Sequence, residues 1–171
     1  RRDLVGDYPT YRDGRMYRIP IQYESIQKQD FAKDYPLVLT SGSVVEHEGG
    51  GAKSRANPWL AELAPEAFIM LNPRDANNMS IRNGDEVKVE GPEGGEIVVK
   101  AKVTEAVAPG VTWMPYHWGE KMQGKDITDR YPEGTGPYVA GGPANAVLTY
   151  GYDSVTNIQE NKASLCRVSK A

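Results

Sequence analysis

The sequence predicts a mainly β protein built around one core. Three observations lead there. There are 18 Gly and 12 Pro in 171 residues, counts that fit short strands joined by turns better than a helical bundle. Apolar residues alternate with charged ones at period two, first at Val87 and Val89, then at Ile97, Val99, Ala101 and Val103. Between Phe68 and Trp118 the local signals run strand, short helix, hairpin, strand. A chain of this length is long enough for one good core and too short for two large ones.

Residues 1–34 are polar, with Tyr8, Tyr11, Tyr17 and Tyr23 scattered among charges. Met16 to Tyr23 could form one short strand, interrupted by Pro20. The segment 1–34 is expected to be a strap or linker from upstream domains, lying over a neighbouring surface, with the folded domain spanning 35–171. The chain opens on Arg1-Arg2 with no initiator Met, and no apolar stretch follows to make an export signal. A piece of a larger polypeptide is expected.

Tyr35 to Thr40 (YPLVLT) reads as a buried strand running into Ser41-Gly42-Ser43. The loop beyond holds Gly49-Gly50-Gly51, Lys53, Ser54 and Arg55. A phosphate-binding P-loop fails on spacing, because Ala52 and His47 stand where glycines are needed. Two readings remain. The loop is an anion cradle, in which glycines let backbone amides approach a phosphate and Lys53 and Arg55 supply charge. Asn57-Pro58 would then start a short helix, Trp59 to Leu63, in a place that favours an anion. Alternatively it is a plain surface loop, and composition does not choose between the two.

Phe68 to Leu71 is an apolar run ending at Asn72-Pro73. Asn caps helices well and Pro suits the first helical position, so a helix is expected over roughly Pro73 to Met79. Asn83-Gly84-Asp85, Gly91 to Gly95 and Pro109-Gly110 are turns. Val111 to Met114 starts a further strand, which runs into the dense motif MPYHWG, Met114 to Gly119. Trp113, Tyr116 and Trp118 offer flat apolar faces and His117 a hydrogen-bonding ring, a set suited to a planar heterocycle. Trp113 is expected in the core, and His117 with Trp118 in a site. Glu120 to Gly142 reads as a long polar excursion, functional or packed on a partner. Leu165 to Val168 is the closing strand. Cys166 within it reads as a small buried apolar group, since no base stands at a recognisable spacing.

Composition also excludes. A formal net charge of -3 argues against nucleic acid as a partner. No apolar stretch of about 18 residues occurs, so direct membrane insertion by a helix is not expected. One Cys cannot form an internal disulfide or a Cys-based zinc or iron–sulfur site. His47 and His117 have no acidic cluster at ligand spacing, so no metal site is expected in the chain itself.

Asp75-Ala76, Ile81, Asn83-Gly84-Asp85, Ala101, Val103-Thr104, Pro109-Gly110 and Met114 to Gly119 together carry a resemblance. The pattern resembles the molybdopterin-dinucleotide-binding domain, the C-terminal module of molybdenum and tungsten oxidoreductases of the dimethyl sulfoxide reductase family. Within that family it is most similar to formate dehydrogenase catalytic subunits. The resemblance implies a six-stranded double-psi β-barrel with short helices over 35–171, a fold shared with aspartate decarboxylase. Thr40, Gly42, His47, Ser54 and Arg55 match, in order, the loop that lies against the dinucleotide. Ser43 stands where many relatives carry Arg. Asn145, Thr149, Asp153, Thr156, Glu160 and Lys162 match the family's closing polar segment. Ser154 and Gln159 there replace prolines, and Gln159 is taken with Asn145, Thr149, Asp153, Thr156 and Lys162 as a candidate. With His117 and Trp118, these are the candidate cofactor-binding residues.

The implied role is to bind and orient the guanine dinucleotide and pterin of a bis-molybdopterin guanine dinucleotide cofactor carrying molybdenum or tungsten. Domains absent from this chain would share it. The implied parent oxidises formate to carbon dioxide and passes two electrons to iron–sulfur centres, and the implied partners are its upstream domains and an iron–sulfur electron-transfer subunit. The metal ligand and the proton-handling His of the family lie upstream, so no catalytic residue is expected here and the piece alone is expected to be inactive. The compartment follows the parent, periplasmic for a respiratory enzyme and cytoplasmic otherwise. Other readings stay open. The barrel could serve a nitrate, arsenate or thiosulfate reductase. A double-psi barrel that recognises protein would need neither the Gly-rich loop nor MPYHWG. Pyruvoyl-type decarboxylation would use cleavage at Gly42-Ser43, but no matching Arg and Tyr can be placed.

Overall fold

The computed structural model describes residues 30–119, 142–149, 158 and 162–171, and the statements that follow concern these. Six strands form: β1 (Leu37–Gly42), β2 (Phe68–Leu71), β3 (Glu86–Glu90), β4 (Glu96–Val103), β5 (Val111–Pro115) and β6 (Ser164–Lys170). They close into a barrel in the order β1-β5-β2-β4-β3-β6. Two pairs are parallel, β1 with β5 and β2 with β4. The remaining contacts, β2 with β5, β3 with β4, β3 with β6 and β1 with β6, are antiparallel. This is the double-psi architecture expected from the sequence.

Alternation decides what goes inside, because successive side chains in a strand point to opposite faces. Leu39, Ile69, Leu71, Val87, Val89, Met114 and Cys166 are fully buried, with Ile97, Val99 and Ala101 nearly so. The alternate positions of β3, β4 and β6 carry charge and pair across the outer wall. Arg167 clasps Glu90 with two bonds of 3.1 Å, and Lys88 reaches Glu90 and Glu96 at 3.2 and 2.8 Å.

The helices are short: α1 (Ala52–Arg55), α2 (Pro58–Leu63) and α3 (Pro73–Asn78). The Asn72 side chain accepts from the Arg74 amide at 3.0 Å, capping α3 as expected. Its Nδ2 also donates to the Val107 carbonyl at 2.8 Å, and Asp75 accepts from the Gly110 amide at 2.7 Å. The Asn-Pro, Asp-Ala and Pro-Gly signals are thus one device that ties α3 to the turn entering β5.

Strand direction sorts the loops. β1 and β5 run parallel, so the segments after both leave from one end of the barrel. β6 begins there too, since Ser164 pairs with Leu39. The β3–β4 hairpin turns at the same end, because Glu90 pairs with Arg167. Its turn carries the 3-10 turn Ala144–Ala146, where a Cβ on Gly95 would run into the Ala146 carbonyl oxygen.

Three expectations need correction or extension. Trp113 is not in the core. The register pairs Thr40 with Trp113, so Thr112 and Met114 point inward and the indole lies on the outer wall. There it is half-covered by Phe68, 5.9 Å between ring centres, and by Gly42, where a Cβ would come within 2.8 Å of Nε1. Helix α1 replaces part of the expected loop. The closing strand is longer than expected, reaching Lys170. The strand expected at Met16 to Tyr23, the scattered tyrosines, most of the excursion from Glu120, and Asp153, Thr156, Gln159 and Glu160 lie outside the described residues.

Candidate functional site

Two histidines fasten the loop after β1. His117 is fully buried just beyond β5. Its Nδ1 meets the Gly49 carbonyl at 2.6 Å, and its Nε2 meets the Val44 amide at 2.9 Å. A carbonyl only accepts and an amide only donates, so Nδ1 carries the proton and Nε2 offers its lone pair. The ring is therefore neutral and spans the loop. His47, also buried, meets the Ala64 carbonyl through Nε2 at 2.8 Å and Ser54 Oγ through Nδ1 at 3.2 Å. The Ala64 carbonyl only accepts, so Nε2 carries a proton; the Ser54 hydroxyl beside Nδ1 accepts from the Glu48 amide at 3.0 Å and lies 3.4 Å from the Gly51 carbonyl. The His47 ring stands edge-on to Trp118, 5.0 Å between centres.

These bonds change the role expected of both rings. The nitrogens of His47 and His117 serve the loop and are not turned toward a ligand. Gly51 shows how tight the packing is. Its φ is +80°, and a Cβ there would strike the His117 carbonyl oxygen and come within 2.8 Å of Arg55 Nε.

The rest of the predicted set gathers around this knot. Arg55 is buried within α1, and Trp118 is buried against His47. Ser43 Oγ and Tyr116 Oη are 2.5 Å apart, joining the two loops at the surface. Lys162, just before β6, donates through Nζ to the Ser41 carbonyl. Thr149 is buried, its amide and hydroxyl both on Ser164 Oγ at 3.1 and 3.2 Å. Asn145 is exposed on the 3-10 turn carried by Gly95. Thr40 and Gly42 lie in the last half of β1. All the described candidates therefore sit at or near one barrel end. Sequence reasoning missed Gly95 and the Tyr116 hydroxyl as parts of this end. Both signals were present, in the hairpin turn and the MPYHWG motif, but their partners are remote in sequence.

An open hollow of about 600 Å³ lies beside the knot, walled by Val44 to Glu48, Lys53, Ser54, Asn57 and Leu60. At the start of α2, Asn57 caps the helix as expected, its Oδ1 taking the Trp59 and Leu60 amides at 3.0 and 3.4 Å. Cys166 is confirmed as an inert buried group, its thiol pushed up to about 11 by burial.

Burial holds the His117 pKa below its ordinary value of 6.5; the bond to Gly49 opposes this, while the His47 and Arg55 charges add to it. Protonation would also remove the acceptor that holds the Val44 amide. Below pH 6.5 the unfolded chain gains a proton that the folded chain resists. This contribution is therefore complete above the unfolded value and lost as pH falls through the lowered folded one. Urea melts at about pH 7.5 and about pH 5.5 should show lower stability at the acid side, and replacing His117 with Gln should remove that part of the slope.

Residues 37–165 match the family described as Molydopterin dinucleotide binding domain. The chain belongs to this family. It is 40% identical over 108 residues to a formate dehydrogenase subunit alpha of Methanocaldococcus jannaschii, a match covering 63% of this chain and 16% of that protein. It is 33% identical over 145 residues to formate dehydrogenase 2 subunit alpha of Nitratidesulfovibrio vulgaris, covering 80% of this chain and 13% of that one. A third relative is the assimilatory nitrate reductase catalytic subunit of Bacillus subtilis, 31% identical over 102 residues, 60% of this chain and 14% of the relative. Among solved structures, acetylene hydratase from Pelobacter acetylenicus shares the fold with a TM-score of 0.64 at 18% identity, over 93% of this chain and 22% of that one. The matched segments thus span less than a fifth of these curated relatives' lengths.

Does the loop end fit a molybdopterin dinucleotide? One buried atom bears directly on this. Trp118 Nε1 is a donor shielded from solvent with no acceptor among the described residues. A buried donor left unmet is costly unless something supplies an acceptor. Pterin edges, guanine and phosphates are rich in acceptors. The cations nearby, Arg55, Lys53 and Lys162, suit phosphate charge. The donor set fits.

Proposed function

We propose that this chain holds and orients the guanine dinucleotide and pterin portion of a molybdenum or tungsten cofactor, as the dinucleotide-binding module of a formate dehydrogenase-like catalytic subunit. The observation that carries the reading is the unmet indole N–H of Trp118, at the end where the β1 and β5 loops converge. When bound, the cofactor's metal supplies two-electron redox chemistry, with formate as the substrate we favour. The chain's own residues position. Trp118 offers an N–H to an acceptor edge, Arg55 and Lys162 balance phosphate charge, and Ser43 with Tyr116 presents hydroxyls at the rim. His47 and His117 keep the loop rigid, so the bound group rests against a preformed surface. The remaining domains of the same subunit cover the other side of the cofactor, and an iron–sulfur subunit takes the electrons. A nitrate-reducing parent is the second reading, favoured by the Bacillus subtilis relative.

The test is Trp118→Phe in the full-length subunit. The N–H has no partner within the described chain, so stability without cofactor should stay within about 1 kcal/mol of the parent. Pterin retained through dialysis should fall about tenfold, the loss expected for one buried hydrogen bond. Unchanged pterin retention would count against the reading.

A further inference from the structure

Among the described residues, helix α2 buries no side chain of its own. Yet it is well specified, with Asn57 as its cap and Pro58 at its first position. Trp59 and Leu63, four apart and so on one face, are 77% and 71% exposed, and Val45 nearby is 98% exposed. A large aromatic and a leucine left in water beside a shaped hollow mark a surface made to be covered.

We infer that the outer face of α2 is where the rest of the catalytic subunit docks onto this barrel. The inference rests on the proposed function, in that it takes the chain as one module of a larger polypeptide. Three observations choose this occupant. Two relatives of this chain are about four and about six times as long, since 63% of this chain covers 16% of the one and 80% covers 13% of the other, so such a subunit has a large body that must meet the barrel somewhere. The outer face of β3, β4 and β6, by contrast, is laced with ion pairs and suits water. Helix α2 also borders the hollow beside the His47–His117 knot, so a body seated on it would overhang the proposed cofactor end. The surround is mixed in charge. Glu46, Glu48 and Lys53 share the hollow with Asn57 and Leu60, and Glu46, Glu66, Lys100 and Lys102 line a second groove with Leu63. The matching surface should have an apolar centre that receives Trp59 and a polar rim carrying both signs of charge.

The experiment uses the full-length subunit. A photo-crosslinking benzoylphenylalanine replaces Trp59 in one protein and Val98 in another; Val98 faces out from β4 opposite Lys88. Position 59 should crosslink to stretches of the same polypeptide outside these 171 residues, and position 98 should not. Crosslinks from 59 only to a second copy or another protein, or no more than from 98, would overturn the inference. The double variant Trp59→Asp, Leu63→Asp removes no core contact and should release the barrel to protease about tenfold faster. An unchanged release rate would also overturn it. Pterin and metal content of the same preparation reports separately on function. A crosslinking subunit without cofactor would sink the functional reading alone, and a loaded subunit without crosslinks would sink the docking face alone.

Discussion

Gly95→Ala should destabilise the fold by about 3–5 kcal/mol and loosen residues 142–149 from the hairpin. A methyl group there would overlap the Ala146 carbonyl oxygen, and backbone cannot swing aside as a side chain can. The least costly relief is for the segment to lift. It would then lose the burial of Val147 and Leu148, each now almost fully covered. Urea unfolding gives the stability, and hydrogen exchange at the Val147 and Leu148 amides locates the loss. Gly50→Ala is the control. Nothing lies within 4 Å of a Cβ there, so its effect should stay under about 1 kcal/mol. Equal stability of the two variants would show that the 3-10 turn is not seated on the hairpin.

His117→Ala should have a comparable effect, about 3–5 kcal/mol, for a different reason. The ring fills core space and serves two backbone groups on one loop. Its loss leaves a cavity, and leaves the Val44 amide and Gly49 carbonyl without partners. If the loop yields, the two groups find water and part of the stability returns, but amides from 44 to 51 then exchange quickly. Melts and exchange together separate these responses. Ser43→Ala, which removes only an exposed bond to Tyr116, should cost under about 1 kcal/mol. A His117→Ala protein as stable as Ser43→Ala would refute the clamp.

What the sequence revealed was what local chemistry decides. Asn72-Pro73 and Asn57-Pro58 start helices because a cap and its amides lie within three residues of each other. Strand parity in β3 and β4 is legible because polar and apolar residues alternate cleanly. Trp113 was misread because its side of the wall depends on pairing with Thr40, seventy-three positions away. A tryptophan beside β-branched residues looks equally at home on either face. Helix α1 left no signal, since four residues after three glycines have no period, and it depends on the close approach of Gly51 to His117. The bonding of the two site histidines was not legible at all. Histidine is read from sequence as a group that reaches outward, but where its nitrogens point depends on the carbonyls and amides that the fold brings to it.

The burial of Cys166 has a practical side. It is the one cysteine in the sequence, and at neutral pH almost none of it is thiolate. Thiol-directed reagents will pass it by in the folded protein. A single cysteine introduced at the rim would therefore be the sole reactive handle, and a dye or spin label attached there would report on that position without any need to remove the native residue.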